Sequence, residues 1–181
     1  TGALSYGSVG GACTEAGGQL HITGAGTCTY GATAAGIAGV LAPATQSCTV
    51  LVAKAGTSIA IVNAPTPMTQ GTSVALSVTP TPALATGENV TFASTTPVIC
   101  AFTSSTLTAA QPGTCIVTAT RSGNANLLGS TSDPVSITVA PRMFTVSGTV
   151  TGVVGGQAAS VSNSGGAAQT GGSFSFSLAQ G

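Results

Sequence analysis

The side chains of this sequence that could do acid–base or ligand chemistry are few enough to weigh one by one. They are three carboxylates (Glu15, Glu88, Asp133), three cations (Lys54, Arg121, Arg142), one histidine (His21), two tyrosines (Tyr6, Tyr30) and five cysteines. A nucleophile relay needs Ser, His and a carboxylate brought together, and nothing in the spacing does that for His21. His21 sits in Leu20-His21-Ile22, opposite in parity to its apolar neighbours, which puts it on the outer face or edge of a strand. The expectation is no enzyme: no catalytic residue and no cofactor. A structural zinc site would need a Cys-x-x-Cys pair or a second histidine, and a calcium cage would need clustered acids; the sequence has neither, so no metal is expected. Three basic residues spread over the chain cannot neutralise a run of phosphates or form a membrane-surface patch. Nucleic acid is therefore excluded as a partner. The doublets Gly155-Gly156, Gly165-Gly166 and Gly171-Gly172 lack the lysine and helix of a phosphate cradle and read as hairpin turns.

The cysteines carry the one clear chemical signal. Cys13 and Cys28 are 15 residues apart, and so are Cys100 and Cys115, in different surrounding sequence. Equal spacing in two places argues for two disulfides, Cys13–Cys28 and Cys100–Cys115, and for an oxidising compartment. Each closed loop of this length contributes about 3 kcal/mol in the chain-entropy picture. The competing reading is that all are small buried hydrophobes. Cys48 has no partner. By strand parity it joins Val50 and Val52 on the inward face, which favours a buried free thiol, with an intermolecular bridge to another copy as the sharper alternative.

The elements that must position these residues are strands. The 181 residues include 30 Thr, 20 Ser, 26 Gly and 9 Pro, with almost none of the Glu, Lys and Arg that fill exposed helix faces, so helices are not expected. Val74, Leu76 and Val78 alternate with small residues, as do Val90 and Phe92, then Cys115, Val117 and Ala119, then Val135, Ile137 and Val139. This is the period-two pattern of strands with one buried face. Turn clusters such as Thr79-Pro80-Thr81-Pro82, Thr86-Gly87-Glu88-Asn89 and Gln111-Pro112-Gly113 separate them. Short strands at this spacing predict an all-β antiparallel sandwich. Thr, Ser or Gly interrupts every apolar run before it reaches the roughly 20 residues needed to span a bilayer, so membrane insertion is not expected.

The sequence also repeats itself. Residues 4–53 align with 91–140 at a constant offset of 87, matching Cys13 with Cys100, Leu20 with Leu107, Gly26-Thr27-Cys28 with Gly113-Thr114-Cys115, Ala32-Thr33 with Ala119-Thr120, Gly36 with Gly123, and Val52-Ala53 with Val139-Ala140. The blocks Ser94-Thr95-Thr96-Pro97-Val98-Ile99-Cys100, Gly113 to Thr120 and Ser122-Gly123-Asn124-Ala125-Asn126 resemble the bacterial immunoglobulin-like repeats found in tandem in surface and secreted proteins. Residues 8–53 carry a weaker version. Phe144 to Val150 and Gly172 to Phe176 resemble the start of a carboxypeptidase-regulatory-like repeat. These resemblances imply stalk, fibre or cell-surface roles, an extracellular location and no catalytic residues. In a bacterial product the sequon Asn89-Val90-Thr91 is expected to be silent. The expected organisation is a partial module at 1–55, a complete immunoglobulin-like module at 56–141 and a partial sandwich or strand-donating tail at 142–181, with linkers at Ala53-Lys54-Ala55-Gly56 and Ala140-Pro141-Arg142.

The first copy has no counterpart of residues 57–90, and the tail is too short to close a sandwich alone. Open sandwiches expose core and unpaired edges. Without an initiator methionine or a signal-peptide pattern, the chain reads as a mature product or a piece of a longer array. One expectation is therefore simple excision from such an array. The other is a homopolymer in which the tail of one chain covers the open head of the next, burying Phe144, Val146, Phe174, Phe176 and Leu178. The function expected from these readings is structural, as a subunit or segment of a surface fibre. An adhesin segment binding a glycan or host protein through its loops is the alternative, and the accessory domain of an enzyme is a third.

Overall fold

A computed structural model describes residues 3–152, 160–162, 168–170 and 172–180, and among these there is no helix. The strands are, in order, β1 (Leu4–Gly11), β2 (Cys13–Ala16), β3 (Gln19–Ile22), β4 (Gly26–Ala34), β5 (Ala44–Val52), β6 (Ser58–Ile61), β7 (Met68–Thr69), β8 (Ser73–Ala75), β9 (Val78–Thr81) and β10 (Val90–Ser94). They continue with β11 (Cys100–Thr103), β12 (Thr106–Ala109), β13 (Gly113–Arg121), β14 (Ser130–Thr131), β15 (Val135–Ala140), β16 (Met143–Thr149), β17 (Ser160–Ser162), β18 (Ala168–Thr170) and β19 (Ser173–Ala179). The fold is all-β, in several small and mostly antiparallel sheets, as the composition and period-two alternation require. The doublets Gly155-Gly156 and Gly165-Gly166, together with Gly171, lie outside the described residues.

The chain divides into two compact units. The first gathers Thr1–Asn63, Ser77–Phe92 and Thr118–Pro134. It holds the three-stranded antiparallel sheet β1-β4-β5, the hairpin β2–β3, the ribbon β6–β9 and the last residues of β13, which pair with β14. A disulfide joins Cys13 of the hairpin to Cys28 of the central strand β4, with Cα atoms 5.4 Å apart. The segment Ala53-Lys54-Ala55-Gly56, expected to be a linker, is docked: Ala55 N–H donates to the Asn126 carbonyl, Leu128 N–H donates to the Ala55 carbonyl, and Lys54 Nζ donates to the Asn124 carbonyl at 2.7 Å. Asn126 Oδ1 in turn accepts from Ala25 N–H at 2.8 Å. Asparagine serves here because its short amide reaches neighbouring backbone while its own main chain turns.

The second unit gathers Ala64–Leu76, Ala93–Val117 and Val135–Gly181. Here Gly113 to Val117 of β13 pair with β15, and β15 pairs in parallel with β7; β11, β12 and β8 form a second sheet. The Cys100–Cys115 disulfide joins β11 to β13. Leu107, Ala109, Val117 and Ile137 are fully buried and Met68, Leu76 and Val139 nearly so. Each large side chain buried in this way contributes roughly 1.5–3 kcal/mol. β16 and β19 form a two-stranded antiparallel pair, as do β17 and β18.

The offset of 87 seen in the sequence reappears in the ladders. Cys13 pairs with Ile22 as Cys100 pairs with Ala109, and Ala16 with Gln19 as Thr103 with Thr106. Gly26 pairs with Val52 as Gly113 with Val139, and Cys28 with Val50 as Cys115 with Ile137. The two copies share strand register residue for residue over these ladders.

Candidate functional site

The two copies differ in what covers them. In the second, Leu107 faces Val74 of β8 across the ladder and Val139 faces Met68 of β7. Gly71 N–H also donates to the Ala109 carbonyl, and Ala109 N–H to the Thr72 carbonyl. The first copy has no counterpart of β7 or β8 among the described residues, so the outer edges of β3 and β5 carry no such strands. Exposure follows. Leu20, Ile22 and Val50 are 40%, 55% and 43% exposed, whereas Leu107, Ala109 and Ile137 at the same repeat positions are fully buried. Strand parity aims these side chains inward, and among the described residues no strand of the β7 or β8 kind flanks them.

Between the β1-β4-β5 sheet and the β2–β3 hairpin lies a hollow of about 280 Å³ lined by Tyr6, Gly7, Glu15, Gly18, Gln19, Leu20 and Tyr30. Tyr6 is exposed on β1, Tyr30 is half-buried on β4, and the Glu15 carboxylate accepts from Gly18 N–H at 2.7 Å across the hairpin turn. Tyr30 faces Cys48 in the ladder. A hydrogen bond with the Cys48 thiol, then its charge, then burial hold the Tyr30 hydroxyl above its ordinary value.

Cys48 is a free thiol and it is exposed, so the expectation of a buried one is corrected. It shares a face with Cys28, Tyr30 and Val50, as its parity indicates, and on β5 that face is exposed at Cys48 and Val50. His21 is exposed on β3 opposite Thr14, on the face its parity indicated. Among the described residues no group of three or more His, Cys, Asp or Glu is placed to hold a metal ion, and no helix is long and apolar enough to cross a membrane.

The tail residues expected to meet another copy face one another within the chain. Phe144 is opposite Leu178, Val146 opposite Phe176, and Gly148 opposite Phe174. Phe176 is buried and stacks at a tilt on Phe174, 5.8 Å between centroids. Phe144 and Val146 remain exposed, and the Arg142 guanidinium sits 5.0 Å from the Phe144 ring centre.

One arrangement had no signal in the sequence. Arg121 and Glu88 form a buried ion pair: Nε donates to Oε1 at 2.9 Å and Nη2 to Oε2 at 2.7 Å, while Nη1 donates to the Pro82 carbonyl at 2.6 Å. Ala85 N–H also donates to Oε2. The Arg121 hydrogen bonds, helped by that backbone donor, hold the Glu88 carboxyl below its usual value. The pair clamps the loop before β10 to the end of β13.

No protein-family model matches the chain, and no curated protein matches it. Among solved structures it is similar to a C-terminal 282-residue fragment of intimin in complex with the intimin-binding domain of its translocated receptor, at 17% identity and a TM-score of 0.33, over 80% of this chain and 53% of that one. It is also similar to the surface-layer protein rSbsC(31–844), at 11% identity and a TM-score of 0.36, over 97% of this chain and 28% of that one. A structure of SbsC domains 1–6 gives 12% identity and a TM-score of 0.34 over the same shares. The chain thus spans about half or less of the structures it matches, and no functional residue is carried over from them.

Proposed function

We propose that the chain is a structural, non-catalytic segment or subunit of an extracellular bacterial surface fibre, built from a partial immunoglobulin-like module at 1–55, a complete one at 56–141 and a partial sandwich or strand-donating tail at 142–181. One observation carries the reading: two copies with the same ladder register follow each other at a constant offset in a chain with three basic and three acidic residues. Stacked modules that contact their neighbours bury much of their surface. A freely diffusing small domain is kept apart from its copies by a net charge of magnitude about 2–8. This chain has a formal net charge of zero, which suits contact with copies of itself. The likeness of the tail to a carboxypeptidase-regulatory-like repeat belongs to the same reading. The adhesin alternative draws on the hollow at Tyr6 and Tyr30, where aromatic faces and polar groups meet as a glycan site would need. Electron microscopy of producing cells, labelled with antibody to this chain, tests the proposal. Labelled filaments or arrays outside the cell are expected; labelled material inside the cell, or dispersed single particles, overturns it.

A further inference from the structure

The two edges of the β1-β4-β5 sheet are built differently. On β1 the register shifts between Ser8 and Gly10, a bulge of the kind that blunts an edge. β5 carries no such device. Its nine residues, Ala44–Val52, run in an unbroken ladder with β4, include no proline and no charge, and are exposed at every position but Val52. Among the described residues no strand lies on its outer side. Such an edge is an open template for another strand.

The hydrogen bonds of β4 fix which groups that edge presents. Ala35 N–H donates to the Ala3 carbonyl and Ala12 N–H to the Thr27 carbonyl, both on the β1 side. Main-chain groups alternate along a strand, so the odd-numbered residues of β4 face β1 and the even-numbered ones face β5. Tyr30 is opposite Cys48. Cys48, Gln46 and Val50 therefore spend their amides and carbonyls on β4, whereas Thr45, Ser47, Thr49 and Leu51 aim theirs outward. Cys48 is also the midpoint of the strand. Another molecule's β5, laid antiparallel about a two-fold axis at Cys48, sets Ser47 opposite Thr49, Thr45 opposite Leu51, Gln46 opposite Val50 and Cys48 opposite itself. Neutral edge meets neutral edge, and hydroxyls meet at Ser47 and Thr49. Cys48 then occupies a non-hydrogen-bonded position, where Cα atoms lie about 4.5 Å apart. That falls within the roughly 4.4–6.8 Å that a disulfide spans.

We propose that β5 is a self-pairing edge: two molecules of this chain join antiparallel along Ala44–Val52, and their exposed Cys48 thiols close into an intermolecular disulfide at the two-fold axis. The proposal rests on the extracellular reading above, which supplies the oxidising setting, and adds a side-by-side contact to it. The oxidant is a small-molecule or protein disulfide. One Cys48 thiolate displaces a thiolate from it, and the other Cys48 thiolate then displaces the second, so two protons and two electrons pass to the donor, which leaves as two thiols. The same class of oxidant serves Cys13–Cys28 and Cys100–Cys115. An isologous contact of this kind closes on itself, so it joins chains in pairs and does not propagate. Another molecule of this chain is favoured over an unrelated strand because symmetry alone then places a cysteine opposite Cys48.

The test reads register, because an exposed thiol also cross-links without a ladder. The full chain is oxidised with glutathione disulfide, and amide exchange in the resulting dimer is compared with that of dilute Cys48→Ser chain. Exchange at Thr45, Ser47, Thr49 and Leu51 is expected to slow by at least about tenfold, while Gln46 and Val50, already bonded to β4, change little. In a Cys48→Ser background, chains carrying Gln46→Cys are then mixed with chains carrying Val50→Cys. The mixed dimer is expected to exceed what random pairing gives. The exchange comparison needs no added cysteine, so it stands if either variant fails to fold. Absence of a covalent dimer, a dimer whose outward amides exchange as in the Cys48→Ser chain, or random pairing in the mixture overturns the proposal. So does a bridge from Cys48 to a different protein in place of the dimer on producing cells. Extracellular fibres of a chain that fails these readouts leave the fibre reading standing and remove only the β5 pairing.

Discussion

At the scale of single residues, the informative feature is how the few charges are used. Two of the six are spent on one buried pair, Arg121 with Glu88, which closes the Pro82 to Glu88 loop onto the end of β13. A buried pair of this kind is weak grounds for net stabilisation, but removing one partner strands the other charge without water. Its pH dependence has a definite sign. Because Arg121 and the Ala85 amide hold Glu88 below the ordinary carboxylate value, the contribution is fully present above the unfolded value of about 4.3 and is lost as pH falls through the lower folded value. Urea-unfolding midpoints measured from pH 7 down to pH 2.5 should therefore decline at the acid end. Glu88→Gln should be destabilised at pH 7 and show a shallower acid decline; parallel profiles for the two proteins would mean that the pair does not couple to folding. The pair was illegible in the sequence because its members are 33 residues apart and neither lies in a charge pattern. Cysteine pairing was legible, since equal spacing in two copies leaves a trace that one buried ion pair does not.

At the scale of elements, the repeated glycines Gly36 and Gly123 show why a local pattern is kept. Neither has a positive φ, so backbone freedom is not the reason. Space is. A Cβ on Gly123 would lie 2.6 Å from the Leu127 carbonyl oxygen and 2.7 Å from the Gly129 nitrogen, and one on Gly36 would lie 2.6 Å from the Leu41 carbonyl oxygen. Both obstacles are backbone, which cannot swing aside as a flexible side chain can. Gly123→Ala is expected to cost about 1–3 kcal/mol, in the range of overpacked sites. It should also free the loop that holds Ala25, Lys54 and Ala55, so limited proteolysis near residues 53–56 should accelerate together with the drop in thermal midpoint. A variant with native midpoint and native cleavage would show that the loop yields without penalty. The asparagines of this loop have no equivalents in the first copy, where Ile37 and Gly39 stand at the positions of Asn124 and Asn126. Docking of the 53–56 segment therefore belongs to the second copy's loop alone.

At the scale of the whole molecule, the tail is the part whose role is easiest to separate. Its strands β16 and β19 pair with each other along a seven-residue ladder from Met143 to Thr149. Deleting residues 142–181 is expected to leave hydrogen exchange in β11–β12 and β13–β15, and any fibres seen by electron microscopy, as they are in the full chain. Loss of fibres on deletion would restore head-to-tail donation of the tail as the route of assembly. By itself the sequence determined what local patterns can determine: an all-β chain, the strand faces, the two disulfide spacings and the repeat, because alternation, turn residues and loop length act over a few neighbouring residues. Only the tertiary structure decided which of those faces are covered. Cys48, Leu20 and Val50 carry an inward parity like that of Val135, Leu107 and Ile137, yet they are exposed, because burial depends on strands that come from distant sequence and that, among the described residues, flank the second copy and not the first. The same holds for Arg121 and Glu88, whose meeting depends on where a strand end and a loop arrive in space, which no local period encodes.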